Sequence, residues 1–185
     1  KQWIAKYKGK FDQGWDKLRE ETLARQIKLG VVPAGTKLAP KPEAIKDWAT
    51  LSPDEKKLFA RQMEVFAGFG EYTDTEIGRL IQTIGDLGQL DNTLIVFMTD
   101  HGISHARGKQ FLYDEGTHIP FVVRGPGIPP GQVRADLIEH IDMAAISLVA
   151  AGLPIPKPMQ GRDVFAKNYP PRPAVFAARD RCDET

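Results

Sequence analysis

An aspartate and a histidine stand side by side, Asp100 and His101, where the apolar run TLIVFMTD gives way to Gly102. A carboxylate next to an imidazole offers two donors to a divalent cation. Two donors do not complete a coordination shell, and the alternative reading of D-H-G is a cap on the following turn, with His101 a partly buried polar residue. The next stretch, HARGKQFLYDEGTHIP, sets His105, Arg107, Lys109, Asp114, Glu115 and His118 in one connection. A lysine at the mouth of such a loop supplies a point charge for a tetrahedral oxyanion, and Gly108 lets the backbone approach closely. Taken alone, Lys109 also reads as an ordinary surface lysine.

These residues need elements to position them. TLIVFMTD follows a turn at Asp91 and Asn92 and is rich in β-branched residues, the pattern of a strand buried on both faces. IPFVVRGP from Ile119 reads as a second strand and AVFAA, Ala174 to Ala178, as a third, with an apolar helix from about Asp142 to Ala151 between them. In open α/β sheets ligands bind beyond the carboxyl ends of strands, which is where Asp100 and His101 stand. Upstream, a helix is expected from Trp15 to Leu29, stopped by Gly30, and then a loop with three prolines, VVPAGTKLAPKPEAIKDW. Ser52, Pro53 and Glu55 have the spacing of a capping box that opens a further helix. Phe59, Met63, Phe66, Thr73, Ile77, Leu80, Ile81 and Ile84 recur behind it at helical spacing, predicting one or two helices with a buried face, ending near Gly85 or Gly88. Gly68, Gly70 and Gly78 weigh against an unbroken helix. The expected architecture is α/β with a mostly parallel sheet, a single domain over 1–185 that is mainly helical in 1–90 and carries the strands and site loop in 91–185.

Composition narrows the function classes. The 185 residues carry 25 Lys and Arg against 24 Asp and Glu, so overall charge argues for neither nucleic acid nor an anionic membrane as partner. The basic, aromatic start KQWIAKYKGK reads as a solvated segment with aromatic anchors more readily than as a nucleic-acid arm. No apolar run approaches the roughly 20 residues of a membrane-spanning helix, and the start has no apolar core of a signal peptide, so a soluble chain is expected. The single cysteine, Cys182, excludes an internal disulfide and cannot alone build a cysteine zinc site. A start without methionine, and an end at RDRCDET just after a strand-like run, lead to the expectation of a fragment.

LDNTLIVFMTDHG followed by GKQFLYDEGTHIPFVVRGPG resembles the sulfatase family of the alkaline phosphatase superfamily. The resemblance continues through HIDMAAISLVAAGLPIP and MQGRDVF to VFAARDRCDET, similar to sulfamidase-like and related bacterial sulfatases. The N-terminal stretch, with WATLSPDEKKLFARQMEVFAGFGEYTDTEIGRLI, is similar to an arylsulfatase subgroup. What the resemblance implies is an alkaline phosphatase-like fold, here incomplete, and hydrolysis of sulfate esters or sulfamates by a formylglycine hydrate made from a C-x-P-x-R motif. That motif is absent. Cys182 is followed by Asp183, Glu184 and Thr185 and is rejected as nucleophile, so the expectation is a sulfatase fragment, inactive alone.

Position by position, Asp100 resembles the family's downstream metal carboxylate, and His101 takes the place of a neighbouring ligand that is commonly asparagine. Lys109 resembles the sulfate-contacting lysine, and His105 is a candidate general acid for the leaving group. The family implies calcium, while an imidazole at 101 suits manganese or zinc. The implied substrate is a sulfate-ester small molecule or a sulfated carbohydrate, and the implied compartment periplasmic, secreted or lysosomal. Alternatives are a phosphodiesterase or phosphonate monoester hydrolase of the same superfamily, or a noncatalytic metal- and anion-binding module. Arg179, Asp180 and Arg181 follow the third expected strand, to contact substrate or to form structural salt bridges.

Overall fold

The capping box forms as its spacing predicts. In the computed structural model, which describes residues 1–105 and 108–179, the Ser52 backbone N–H donates to Glu55 Oε2 at 2.8 Å and the Glu55 N–H to Ser52 Oγ at 3.2 Å. The two reciprocal bonds satisfy donors that a helix start leaves orphaned. From there α3, Pro53–Asp86, runs unbroken for 34 residues. Gly68 does not interrupt it: it is buried, and a side chain there would meet the backbone of Ile4 at 2.8 Å, so this glycine serves close packing against the N-terminal helix α1, Gln2–Ala5.

The chain divides into two compact units, Lys1–Thr83 and Ile84–Thr185. In the first, α2 spans Gly14–Lys28. Trp15 meets Trp48 edge to face with centroids 4.9 Å apart and Phe59 at 5.4 Å, the offset geometry that aromatic quadrupoles favour. Asp16 ties the loop to α2, accepting from the Trp48 N–H at 2.7 Å and from Lys41 Nζ at 2.8 Å. The helical face predicted for α3 is only half-buried, and three of its members depart further: Thr73 is exposed, Phe66 is 66% and Leu80 64% exposed, on a flank the described residues leave uncovered.

The second unit holds β1, Ile95–Met98, α4, Asp114–Thr117, β2, Phe121–Arg124, and α5, Asp142–Ala150. The described residues depart from the sequence expectations at three points. β1 and β2 pair antiparallel, from Ile95 opposite Arg124 to Met98 opposite Phe121, and they form the sheet of the described residues where a mostly parallel one was expected. β1 is half-buried and not enclosed on both faces, with Phe97 44% exposed. Ala174 to Ala178, read as a third strand, is not a strand, because β propensity without a neighbouring ladder leaves the backbone unpaired. The buried centre of this unit gathers Ala145 and Ile146 of α5 with Val164.

Candidate functional site

Because Met98 faces Phe121, residues 99–120 leave and return at one end of the β1–β2 ribbon. That excursion carries the metal, sulfate and acid candidates Asp100, His101, His105 and Lys109. Its first turn is pinned from within: Thr99 Oγ1 donates to the His101 carbonyl at 2.9 Å. It is pinned also from across the loop, where the Gly102 N–H donates to the Gly116 carbonyl at 3.0 Å. A Cβ at 102 would lie 1.7 Å from the Glu115 carbonyl oxygen, so only glycine fits.

His101 Nδ1 lies 2.5 Å from the Gly102 carbonyl oxygen. A carbonyl only accepts, so Nδ1 carries a proton, and in the neutral ring Nε2 is then the acceptor nitrogen. Nε2 stands 3.6 Å from Asp100 Oδ2. In that tautomer two acceptor atoms face one another, an arrangement a cation stabilises. The Asp100 side chain is 89% exposed and that of His101 31%. An adjoining cavity of about 430 Å³ is lined by Thr99, His101, Gly102, Ile103, Glu115 and His118, among others.

The remaining candidates meet on the backbone. The Ile103 carbonyl accepts from the N–H groups of both His105 and Lys109, each at 2.8 Å, and the Gly108 N–H donates to the His105 carbonyl at 2.9 Å. Gly108 is buried, and a side chain there would lie 2.0 Å from the Ile103 oxygen, in keeping with the close approach expected of it. The side chains of His105 and Lys109 are exposed, and Gln110 beside them holds φ at 72°, a conformation that non-glycine residues rarely adopt. Asp114 Oδ2 lies 3.3 Å from His118 Nδ1. Among the described residues no group of three or more His, Cys, Asp and Glu side chains converges as a metal site, so Asp100 and His101 fit a divalent cation as a pair of donors, short of a full shell. The Arg179 guanidinium lies 4.7 Å from the Phe111 ring centroid, a cation–π contact. Arg107, Asp180, Arg181 and Cys182 lie outside the described residues.

The most elaborate polar cluster of this unit went unread in the sequence. The fully buried Asp142 accepts from Arg172 at 2.5 and 2.6 Å and from the N–H groups of Glu139 and Arg162, each at 2.8 Å. Arg172 Nε also lies 3.1 Å from Glu139 Oε2. Burial opposes the charged carboxylate, but the Arg172 guanidinium and the two backbone donors outweigh it and hold the Asp142 carboxyl below the usual carboxylate range. An aspartate at the start of an apolar helix was the available signal, yet its partner is 30 residues away. Also missed was His140, whose Nε2 lies 3.1 Å from the carbonyl oxygen of Thr99.

The sulfatase family model matches residues 1–153. This chain belongs to the sulfatase family. Among relatives of this sulfatase chain, an arylsulfatase of Klebsiella aerogenes is 36% identical over 113 residues, 61% of this chain and 24% of that protein. An uncharacterized sulfatase of Schizosaccharomyces pombe is 41% identical over 103 residues, 55% of this chain and 19% of the relative. An extracellular sulfatase SULF-1 homolog of Drosophila melanogaster is 34% identical over 97 residues, 50% of this chain and 9% of the relative. The chain thus spans a quarter or less of the length of these relatives.

Proposed function

We propose that this chain carries the strand-end part of a sulfuric ester hydrolase site, with Asp100 and His101 as two ligands of a divalent cation. The observation that carries this reading is the open pair itself: His101 Nε2 lies 3.6 Å from an 89% exposed carboxylate, at the end of a strand. Calcium is the family's ion; the imidazole makes manganese or zinc the competing choices. When bound, such a cation stabilises charge on the sulfate oxygens.

Lys109 adds a fixed positive charge for the same oxygens, and His105, held by the same Ile103 carbonyl through its N–H, is the proposed acid for the leaving oxygen. Substrates are sulfate esters, small or carbohydrate, a class supported by the family and by the arylsulfatase relative. The C-x-P-x-R motif from which a formylglycine nucleophile is made does not occur in these 185 residues, so these groups bind and polarise and do not attack. In this reading the β1–β2 ribbon belongs to a larger, mostly parallel sheet of alkaline phosphatase type, supported by the family match and by the exposure of Phe97 and Val122 on the ribbon itself.

Calorimetric titration of calcium and manganese into the chain tests the assignment. The expected result is binding by the wild type that weakens at least about tenfold in Asp100→Ala. Equal affinity in the two proteins would overturn it.

A further inference from the structure

The turn that bears Asp100 is tied to the helical side of its unit by one side chain. His140 Nε2 lies 3.1 Å from the Thr99 carbonyl oxygen, across 41 residues of sequence. That carbonyl belongs to the peptide group whose N–H is Asp100's own. The oxygen only accepts, so His140 must donate from Nε2. We propose that His140 is a positioning residue for the strand-end site: it fixes the Thr99–Asp100 peptide plane and thereby the direction in which the Asp100 carboxylate leaves the strand. This inference rests on the metal reading of Asp100 and His101.

An exposed histidine can hold a backbone only if its own base is rigid, and here it is. Its neighbour Glu139 donates its N–H to Asp142 at 2.8 Å and meets Arg172 Nε through its carboxylate at 3.1 Å. Asp142, with no solvent exposure, is further clamped by Arg172 and by the N–H of Arg162. The 139–142 segment is thus anchored at two residues flanking His140, and His140 extends that anchorage to Thr99. From the other side the turn is held by the Gly102–Gly116 backbone bond. Between the two ties lie Asp100 and His101. Groups that orient a ligand without touching the ion commonly change metal affinity about 10–100-fold when removed.

The test compares His140→Leu with His140→Gln in the 185-residue chain, each first matched to the wild type by circular dichroism. Glutamine places an amide N–H near the position of Nε2; leucine fills similar space and donates nothing. The first readout is the backbone amide ¹⁵N resonance of Asp100 in metal-free protein, which reports the hydrogen bond at the Thr99 carbonyl. The second is manganese affinity. Leucine is expected to move the Asp100 nitrogen upfield and weaken manganese binding about 10–100-fold, with glutamine returning both towards wild type. An Asp100 resonance unmoved by leucine, or moved equally by glutamine, would overturn the proposal. Asp100→Ala keeps the two readings apart: wild-type affinity in that variant sinks the metal assignment, whereas an Asp100-dependent affinity that ignores both His140 variants sinks the positioning role alone.

Discussion

Asp100 and Asp142 belong to the same unit and carry the same carboxylate, yet their surroundings are opposite. Asp142 is fully buried and accepts four hydrogen bonds, two of them from one guanidinium. Asp100 is 89% exposed and faces the His101 imidazole at 3.6 Å. Burying a charge is tolerable only when its lone pairs are met by donors, so a carboxylate wrapped as Asp142 is has no capacity left for a ligand. Asp100 keeps that capacity. The two together separate what a strong ion pair does in this fold, which is to hold the 139–142 segment, from what an open one is suited to do, which is to receive a cation.

The largest expected effect comes from breaking the closed member of the comparison. Arg172→Met strands a buried carboxylate with two backbone donors and should destabilise the second unit by about 3–5 kcal/mol, read from urea midpoints. Removing both partners with Asp142→Leu and Arg172→Met does not restore stability, because the N–H groups of Glu139 and Arg162 then lose their acceptor, at about 1–3 kcal/mol for each that stays buried. A double variant as stable as wild type would show that Asp142 organises this segment less than its hydrogen bonds imply.

Acid supplies a smaller and graded version of the same break. The folded-state carboxyl of Asp142 is held below its unfolded value, so its contribution is complete above about pH 3.9 and is lost as pH falls through the lower folded value. Arg172 remains charged throughout. The stability gap between wild type and Asp142→Asn should therefore be constant near neutrality and narrow below about pH 4. A gap that narrows instead on approaching pH 7 would contradict the sign. Glu64 in the first unit, held low by Arg61 and by the Gly9 N–H, loses its contribution in the same direction, so the comparison with the Asn variant is what isolates Asp142.

What the sequence disclosed follows the range of the interactions. The capping box at Ser52 and Glu55 needs partners three residues apart, and α2 differs from its expected bounds by a single residue at each end. Asp100 beside His101 was legible because adjacency in sequence is itself the geometry. The Asp142–Arg172 pair spans 30 residues and the His140–Thr99 contact 41, and no local pattern encodes which distant donor a carboxylate or carbonyl will meet. The direction in which β1 and β2 pair was not legible for a related reason. An apolar, β-branched run states that a strand is covered, not which neighbour covers it, and the same apolar content served at Ala174 to Ala178 for a segment with no ladder. Phe66 and Leu80 have helical spacing but are exposed, since periodicity defines a face and only packing decides whether that face is filled.

The smallest expected effect concerns the open carboxylate. Asp100 lies outside both strands and is almost wholly exposed, so Asp100→Ala should change unfolding free energy by no more than about 0.5 kcal/mol. That near-silence is the sharper half of the comparison, because it means that a loss of metal affinity in the same variant reads on the site and not on folding. The opposite pattern, a destabilisation of several kcal/mol with unchanged affinity for calcium and manganese, would place Asp100 beside Asp142 as a structural carboxylate. It would leave His101, with its proton committed to the Gly102 carbonyl and its Nε2 still open, as the remaining ligand candidate at the strand end.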